Sequence, residues 1–500
     1  MNSARTIPAR EIRTPSFALC VGIVAAITLV RLIGLRFSVV DLYFDESQYW
    51  TWAQQPAFGY YSKPPLVAWI IAVAERVCGS GEACIRSPSS IFYFGTSLLF
   101  YALASTLYDR RVAFWAALTL VFTTSVAFSA RIISTDVPLF FFWTLALLAY
   151  VKLLQGAGFR WTIVLGLALG FGLIAKYTMG FFVLSAAVAA FFDRGARDFL
   201  KTPALWTALV IGAVLIAPNF LWNFDNGFAT FRHTGDNIRG SGAVFSPKNG
   251  LGFLASQFVV FGPIVFGFLI ALIVRSRKFA LLREDRLMLA FALPVLAIVT
   301  ALSFVTRAHA NWAATAMVSS IIVVAAVLVR LEAWRWLKLG IGIGIVTQGL
   351  LLVGDNMADR LTVPGLAKAD IYQPTMGWRA LGEEASRLAR QIGAPTVVAG
   401  RRDDVASLAY YLRDEKRTVL VWPESGPAGD HFQLTRPLTA TAAEPILLIT
   451  RCAAPVRLAD FYASVEPLGP FQVRSGPTTV RSYYGFGLGG RKPGALSGIC

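Results

Sequence analysis

Long apolar stretches separated by short polar segments fill the first 350 residues of the chain. At 1.5 Å per helical residue, a stretch of about 20 residues crosses a hydrocarbon layer about 30 Å thick. The pattern predicts about eleven membrane-spanning helices, at residues 17–36, 88–108, 112–130, 137–154, 161–177, 178–192, 203–219, 250–274, 287–305, 312–329 and 337–353. The two runs between 161 and 192 are short for a span. The fold class is therefore a mainly α, polytopic membrane bundle.

Basic residues mark alternate connecting segments, which indicates the orientation of the bundle. With the N-terminus in the cytoplasm, every cytoplasmic segment is basic, as the positive-inside rule expects. These segments contain Arg110 with Arg111, Arg160, Arg194 with Arg197 and Lys201, the run 275–286, and the run 330–338. Residues 1–16 form a cytoplasmic tail before an uncleaved first helix, because the apolar run that follows is longer than a signal-peptide core. The segment 37–87 and everything after residue 353 then lie outside the cytoplasm.

The outside segments differ in character. The loop 37–87 is rich in aromatic and charged residues, and its apolar stretch 66–77 is too short to span, which favours a helix lying along the interface. From 354 to 500 the composition is that of a soluble domain. Helical patterns at 378–391 and 405–412 alternate with apolar strands at 396–399, 419–422 and 445–450, which predicts a small α/β domain on the periplasmic side.

Composition supports a membrane protein and argues against a nucleic-acid partner. Hydrophobic residues make up 56% of the chain and charged residues only 15%, with a mean hydropathy of +0.58; soluble proteins are less apolar. The net charge of +17 could indicate nucleic-acid binding. The basic residues, however, stand in short clusters between apolar runs, where they hold loops on the cytoplasmic side of membrane lipids.

Four of the five cysteines lie in segments predicted to face an oxidising compartment, which permits disulfides. We predict a Cys78–Cys84 bond in the first outside loop and a Cys452–Cys500 bond in the outside domain. The alternative is four unpaired thiols. Cys20 lies within the first helix and has no predicted partner.

The polar residues that could carry chemistry gather at the outer ends of the predicted helices. They are Asp45, Glu46, Lys63, Arg131, Asp136, Arg232, His233, Arg307, His309 and Asn311. Most have a simpler interpretation. Asp136 could cap its helix before Pro138, Lys63 could anchor the interface, and Arg307 with His309 could bind lipid headgroups. Asp45 with Glu46 could be a solvated acidic loop, but paired carboxylates among aromatic residues beside hydrocarbon suit a general base.

Several of these motifs resemble one known family. The segment 44–69, with its Asp-Glu, Tyr-Trp, Gly-Tyr-Tyr and Lys-Pro-Pro-Leu, resembles the first outside loop of the GT-C membrane glycosyltransferases. It is most similar to the group of families 39 and 83, related to lipid A aminoarabinose transferase and the protein O-mannosyltransferases. The segments 134–139, 218–223, 231–233 and 309–312 resemble later signatures of that group. One departure is Ser62, where the aminoarabinose enzymes have an acidic residue before the lysine, which leaves both a metal site and the sugar open.

The resemblance implies an inverting glycosyltransferase of the bacterial inner membrane. It would move a sugar from a polyprenyl-phosphate donor to lipid A, the lipopolysaccharide core, another glycolipid or a protein, on the periplasmic side. Asp45 would be the base, with Glu46 or Asp136 orienting the substrate. The remaining expected residues are, for the donor phosphate, Lys63, Arg232, Arg307 and His309, and, for the substrate path, Tyr49, Trp50, Tyr60, Tyr61, His233 and Asn311. Cations alone can stabilise a departing monophosphate, so no cofactor is required, although a divalent metal would be compatible.

Three other classes compete with this interpretation. A transporter or flippase of lipid-linked sugars usually places ionisable groups near the middle of the bilayer and uses paired repeats. Here the charges stand at outer helix ends, and no internal repeat of 20–50 residues is found. The alternatives are a polysaccharide ligase or polymerase, which also uses lipid-linked sugars, and a scaffold whose outside domain binds partners.

Overall fold

The computed structural model describes residues 15–239, 245–360, 372–424, 426–453, 458–494, 496 and 498. The predicted tail 1–16 lies almost entirely outside these residues, as does Cys500. The described helices are α1 Phe17–Phe37, α2 Phe44–Ala53, α3 Leu66–Cys78, α4 Glu82–Leu107, α5 Arg110–Val121, α6 Thr124–Ser129, α7 Asp136–Leu154, α8 Arg160–Ala175, α9 Phe181–Phe192, α10 Arg194–Phe199, α11 Pro203–Asp225, α12 Ala229–Arg239, α13 Pro247–Val260, α14 Pro263–Val274, α15 Arg283–Ser303, α16 Ala316–Arg330, α17 Trp334–Asn356, α18 Trp378–Gln391, α19 Arg402–Tyr411, α20 His431–Thr435 and α21 Leu458–Phe461. Short 3₁₀ turns precede α9, α15, α16 and α18.

All eleven apolar runs are helical, and the protein is a polytopic membrane protein. Six of the described helices, α1, α4, α7, α11, α15 and α17, are long and apolar enough to cross a membrane. The pair α13 and α14 meets the same test only when taken together, which makes up to seven spans. The other apolar helices are shorter than a full crossing, so the count of eleven stays a prediction.

Two predicted runs are not the single straight helices that the sequence pattern suggested. The run 112–130 breaks after Val121 into α5 and α6. The run 250–274 bends by 119° between α13 and α14. Gly262 stands at that bend with φ +82°, and Pro263 follows it. Proline disfavours helical backbone at the residue before it and lacks an N–H donor, so the helix must restart there.

Small residues bring α8 and α11 into close contact near the site described below. A side chain on Gly166 would place its Cβ 2.8 Å from the carbonyl oxygen of Ala208, and one on Gly170 would meet Leu215 at 2.5 Å. Apolar surface gives no net gain between helices inside lipid, so membrane helices associate through such close packing. The contact fixes the end of α8, where Lys176 follows, against α11.

The C-terminal part forms a five-stranded mixed sheet. Its strands are β1 Thr396–Ala399, β2 Thr418–Val421, β3 Ile446–Thr450, β4 Tyr462–Arg474 and β5 Val480–Arg491. They lie in the order β2-β1-β3-β5-β4, with β1 parallel to both neighbours and β5 antiparallel to both of its own. The three predicted strands are confirmed. The hairpin of β4 and β5 was missed because its prolines and glycines usually interrupt strands.

This sheet domain is joined to the first outside loop by buried polar contacts. The side chain of Asp41 accepts hydrogen bonds from the backbone N–H of Trp378 (2.8 Å) and Arg379 (3.2 Å) at the start of α18. The hydroxyl of Tyr410 in α19 donates to the carbonyl of Ser80 at 2.7 Å. These hydrogen bonds hold the sheet domain over the loop. The loop 37–87 and the sheet domain therefore lie on the same side of the helices.

Candidate active site

Glu46 is buried and holds the first outside loop in place. Its carboxylate forms an ion pair with Arg86 of α4 at 2.7 Å, with 1% of Glu46 and 3% of Arg86 exposed. It also accepts from the backbone N–H of Ile133 and of Tyr43, both at 2.9 Å. These bonds tie α2 to α4 and to the turn before α7. The sequence suggested a catalytic role for Glu46, whereas its contacts favour a positioning role.

Asp45, its neighbour in sequence, faces a different environment. Its carboxylate pairs with Arg402, the first residue of α19 in the sheet domain, and 35% of the Asp45 side chain is exposed. The Nε of Arg402 donates to the side-chain oxygen of Gln48 at 2.7 Å. The guanidinium also lies over the ring of Phe44, 5.0 Å from its centroid. Sequence analysis missed Arg402, because nothing local in 401–403 connects it with a loop more than 350 residues earlier.

Asp136, the first residue of α7, joins two further loops. It forms an ion pair with Lys176 at 2.7 Å and accepts a hydrogen bond from the side-chain amide of Asn311 at 2.7 Å. The structure does not support the capping interpretation, because the N-cap residue is Thr135 and no side-chain cap bond is formed there. Lys176 was not singled out from the sequence. The feature of the sequence that could have identified Lys176 is a single lysine between two apolar helices, at the outer end of the predicted spans.

Lys63 lies where these charges meet. Burial lowers the pKa of its ammonium group, and the charge of Lys176 lowers it further, while Asp45 and Asp136 act in the opposite direction. The charge of Arg402 also reaches it. The two carboxylates that are far apart in the chain thus act on one lysine. Of the residues expected to converge, Asp45, Asp136 and Lys63 lie close enough for their charges to interact.

A cavity of about 280 Å³ opens beside Lys63. Its polar lining comes from Ser62, Lys63, Lys176, Tyr177, Thr178, His233, Thr234 and His309, and its apolar lining from Pro64, Phe181, Ile298, Val299, Leu302 and Trp312. Burial lowers the pKa of His233 to about 4, with the charges of Lys63 and Arg402 adding to the effect. His233 is therefore neutral near pH 7, and the lysines supply the fixed charge. A cationic mouth over an apolar floor suits a phosphate that carries a hydrocarbon chain.

A second cavity of about 460 Å³ is lined in part by Asp136. Its polar lining comes from Thr124, Ser125, Ser129, Ser134, Asp136, His309, Asn311 and Thr347. Most of its wall is apolar and comes from α4, α6, α7, α13 and α17, through residues that include Tyr93, Phe128, Phe140, Val260 and Leu351. His309 lines both cavities. Asp136 therefore lines the second cavity and is paired with Lys176, which lines the first.

Several aromatic residues expected along the substrate path are instead buried in the protein. Tyr49, Trp50 and Tyr60 are 5%, 7% and 3% exposed. The ring of Tyr60 stacks on Trp52 with centroids 4.6 Å apart. None of the three is among the residues that line the two described cavities. Tyr61 differs, because it is half-buried and its hydroxyl donates to the carbonyl of Ala428 in the sheet domain at 3.0 Å.

Three of the predicted cations lie away from the cavities. Arg232 and Arg307 are exposed and line neither of the two described cavities. Arg131 is held in an ion pair with Asp355 at the end of α17. Of the cations predicted for the donor phosphate, the structure therefore brings only Lys63 and His309 to the cavity. Lys176 joins them.

Two further expectations concern cysteines and metals. The predicted Cys78–Cys84 disulfide is confirmed, while Cys452 is free and Cys500 lies outside the described residues. Across the described ranges, no group of three or more His, Cys, Asp or Glu side chains is arranged to hold a metal ion. Metal independence itself stays a prediction.

The helical bundle, its cationic cavity and the adjoining carboxylates define a membrane glycosyltransferase that uses a lipid-phosphate-linked sugar. Residues 62–222 match the family described as dolichyl-phosphate-mannose-protein mannosyltransferase. The chain is 31% identical over 430 residues to the lipid A galacturonosyltransferase RgtD of Rhizobium johnstonii, covering 86% of this chain and 90% of that protein. It therefore belongs to this family of GT-C glycosyltransferases, as the sequence motifs indicated, and its donor is a polyprenyl-phosphate-linked sugar.

Other comparisons agree in fold and in class. The lipopolysaccharide core galacturonosyltransferase RgtB of the same organism is 27% identical over 208 residues, which are 41% of this chain and 42% of that protein. The crystal structure of ArnT from Cupriavidus metallidurans bound to undecaprenyl phosphate superposes with a TM-score of 0.66 at 15% identity. That match covers 94% of this chain and 98% of ArnT. It shows a shared fold that includes both the helical bundle and the sheet domain.

Proposed function

We propose that this protein is an inverting galacturonosyltransferase, which transfers the sugar from a polyprenyl phosphate to lipid A or to the lipopolysaccharide core. The observation that carries the chemistry is the pair Lys63 and Lys176 in the lining of a partly apolar cavity, with Asp136 bound to Lys176 and the charge of Asp45 acting on Lys63. The sugar and the acceptor are inferred from the related galacturonosyltransferases, whose names give lipid A and the core as targets.

The donor would bind with its phosphate at Lys63 and Lys176 and its isoprenoid chain over the apolar floor formed by α9 and α15. In the reaction, the acceptor hydroxyl oxygen attacks C1 of the sugar from the face opposite the phosphate. The C1–O bond to phosphate breaks, and polyprenyl phosphate leaves with the bonding electron pair. Fixed positive charge stabilises the oxygen on which negative charge grows. Because a single direct displacement occurs, the anomeric configuration inverts.

Asp45 would take the proton of the acceptor hydroxyl. Its side chain is 35% exposed and is paired with a single arginine. Asp136 is less accessible, with 11% of its side chain exposed, and it already holds Lys176 and Asn311. A general base must come within hydrogen-bond reach of the proton it removes. We therefore assign Asp45 as the base and Asp136 as the group that orients Lys176 and the substrate.

The reaction would take place at the periplasmic face of the inner membrane. Placing the N-terminus inside puts the basic connecting segments in the cytoplasm, and this orientation supports the assignment. Contact between Asp41 and the start of α18 supports a common side for the loop and the sheet domain. A cysteine placed at Phe58 or at Val480, which are 55% and 56% exposed, should then react with an impermeant maleimide from the periplasm. Labelling of the two positions from opposite sides would refute the arrangement.

The test of function is transfer by the purified full-length protein in detergent, with polyprenyl-phosphate galacturonate as donor and lipid A as acceptor. Mass spectrometry should detect an acceptor that has gained one uronate. Asp45→Asn and Lys63→Ala should each abolish transfer. Asp198→Asn and Lys201→Ala are matched controls, because these side chains are 62% and 76% exposed in a segment outside the site. Nearly wild-type transfer by Asp45→Asn would overturn the base assignment, and an unmodified acceptor with the wild-type protein would overturn the function.

A further inference from the structure

We propose that Arg402 recognises the carboxylate of the donor uronate, and that this recognition releases Asp45 to act as the base. The inference rests on the proposed function, because it assumes a uronyl donor. It adds a residue of the sheet domain that determines which sugar is transferred. It also gives that domain a part in the reaction beyond covering the helices.

Arg402 is held at the edge of the site yet remains accessible. Its Nε is bonded to Gln48 at 2.7 Å, and its guanidinium lies on the ring of Phe44, 5.0 Å from the centroid. Of its side chain, 32% is exposed. The side chain is therefore fixed by two groups that would stay in contact if the bond to Asp45 were exchanged. Its charge reaches both Lys63 and His233, which line the cationic cavity.

A carboxylate brought by the donor needs a cation of the site, and the pair of Arg402 with Asp45 is the partly exposed one, with 32% and 35% of the side chains exposed. Lys63 and Lys176 are assigned to the phosphate, and Arg402 is the cation paired with Asp45. A uronyl donor brings a carboxylate that a neutral hexosyl donor lacks. A buried or half-buried carboxylate requires a cationic or hydrogen-bonding partner.

Arginine can make the exchange because of its shape. A guanidinium has five N–H donors, and the contacts within the described residues use Nε and one terminal nitrogen. Once the bond to Asp45 is given up, the two terminal nitrogens together suit a planar carboxylate, which arginine binds through two parallel bonds, and this geometry favours the exchange. Arg232 and Arg307, like Arg402, line neither described cavity, but Arg402 differs from them in its pairing with Asp45.

The exchange would couple sugar recognition to catalysis. When the uronate takes the guanidinium, Asp45 loses its cation and is free to accept the acceptor proton. A neutral hexosyl donor offers no such partner, so Arg402 would stay on Asp45. Discrimination against the neutral sugar should therefore appear in kcat as well as in KM.

The experiment compares polyprenyl-phosphate galacturonate with polyprenyl-phosphate galactose in the full-length protein. Arg402→Gln should lower kcat/KM for the uronyl donor between about 10-fold and about 150-fold, the range for losing one hydrogen bond to a charged group. The affinity for the galactosyl donor, measured as competitive inhibition, should not fall. For Arg402→Lys, kcat/KM for the uronyl donor should lie between the values of the wild-type protein and Arg402→Gln, because lysine keeps the charge and loses the paired donors. Arg401→Gln is the matched control. Arg401 is the preceding residue, its side chain is 62% exposed, and it pairs with Asp403.

The outcomes separate this inference from the function on which it rests. If wild-type protein transfers galacturonate and Arg402→Gln loses both donors equally, the inference is overturned and the proposed function stands. If wild-type protein transfers galactose and not galacturonate, the sugar in the proposed function is wrong and the inference is overturned with it. A selective loss of the uronyl donor, with the unfolding midpoint of the variant unchanged, supports the inference.

Discussion

Replacement of Glu46 should unfold the first outside loop, whereas replacement of Asp45 should leave the fold intact and stop transfer. The two carboxylates are adjacent in the chain but differ in burial. Glu46 is 1% exposed and accepts from the guanidinium of Arg86 and from the N–H groups of Tyr43 and Ile133. Asp45 is 35% exposed and accepts from Arg402 at the surface of the loop.

The expected size of the effect follows from these contacts. Glu46→Ala leaves Arg86 buried with only the carbonyl oxygens of Val40 and Asp41 as partners, and it frees two backbone N–H groups. Breaking a buried ion pair by removing one partner costs roughly 3–5 kcal/mol. Glu46→Gln keeps the volume and one acceptor, so the loss should be roughly 1.5–3 kcal/mol. Asp45→Asn removes a partly exposed pair and should cost no more than about 1 kcal/mol.

The assay is denaturant unfolding in detergent, followed by tryptophan fluorescence, together with transfer activity per folded molecule. Both Glu46 variants should shift the unfolding midpoint to a lower denaturant concentration, and the shift should be larger for Glu46→Ala than for Glu46→Gln. Asp45→Asn should unfold like the wild-type protein and be inactive. If Glu46→Gln kept wild-type stability and lost all transfer, Glu46 would contact the substrate and the positioning role derived from its burial would be wrong.

Three further predictions concern the lysine pair, the disulfide and pH. Lys176→Ala should weaken binding of polyprenyl phosphate, measured by competition with the donor, and an unchanged affinity would remove Lys176 from the phosphate site. Peptide mapping without reduction should recover Cys78 linked to Cys84, and the Cys78→Ser and Cys84→Ser double variant should lose about 2 kcal/mol of stability, as expected for so short a loop. Burial, aided by Glu82, raises the pKa of Asp41 to about 6. The folded protein then holds the proton that the unfolded chain releases between about pH 4 and pH 6, so this group makes the free energy of unfolding fall as pH rises through that range, by at most about 3 kcal/mol. Asp41→Asn should abolish that pH dependence, and a variant that retained it would refute the assignment.

What the sequence determined by itself is the set of helices and the class of enzyme. A run of about 20 apolar residues must be helical in lipid, because every backbone N–H and C=O group needs a partner within the segment. For this reason all eleven runs proved helical, even where Gly262 and Pro263 bent one of them. The motifs around Asp45 and Lys63 indicated the glycosyltransferase family for a similar reason, since their residues stand close together in one loop.

Only the tertiary structure decided which charges meet. Nothing in the local sequence distinguishes Glu46, which is buried against Arg86, from Asp45, which faces Arg402. Likewise Lys176 gained its role because packing of α8 against α11 places it beside Asp136. An apolar run forms a helix because of the lipid around it, so it can be recognised from the local sequence alone. Ion pairs between distant segments depend on how the helices and the sheet domain pack, and that information is spread over the whole chain.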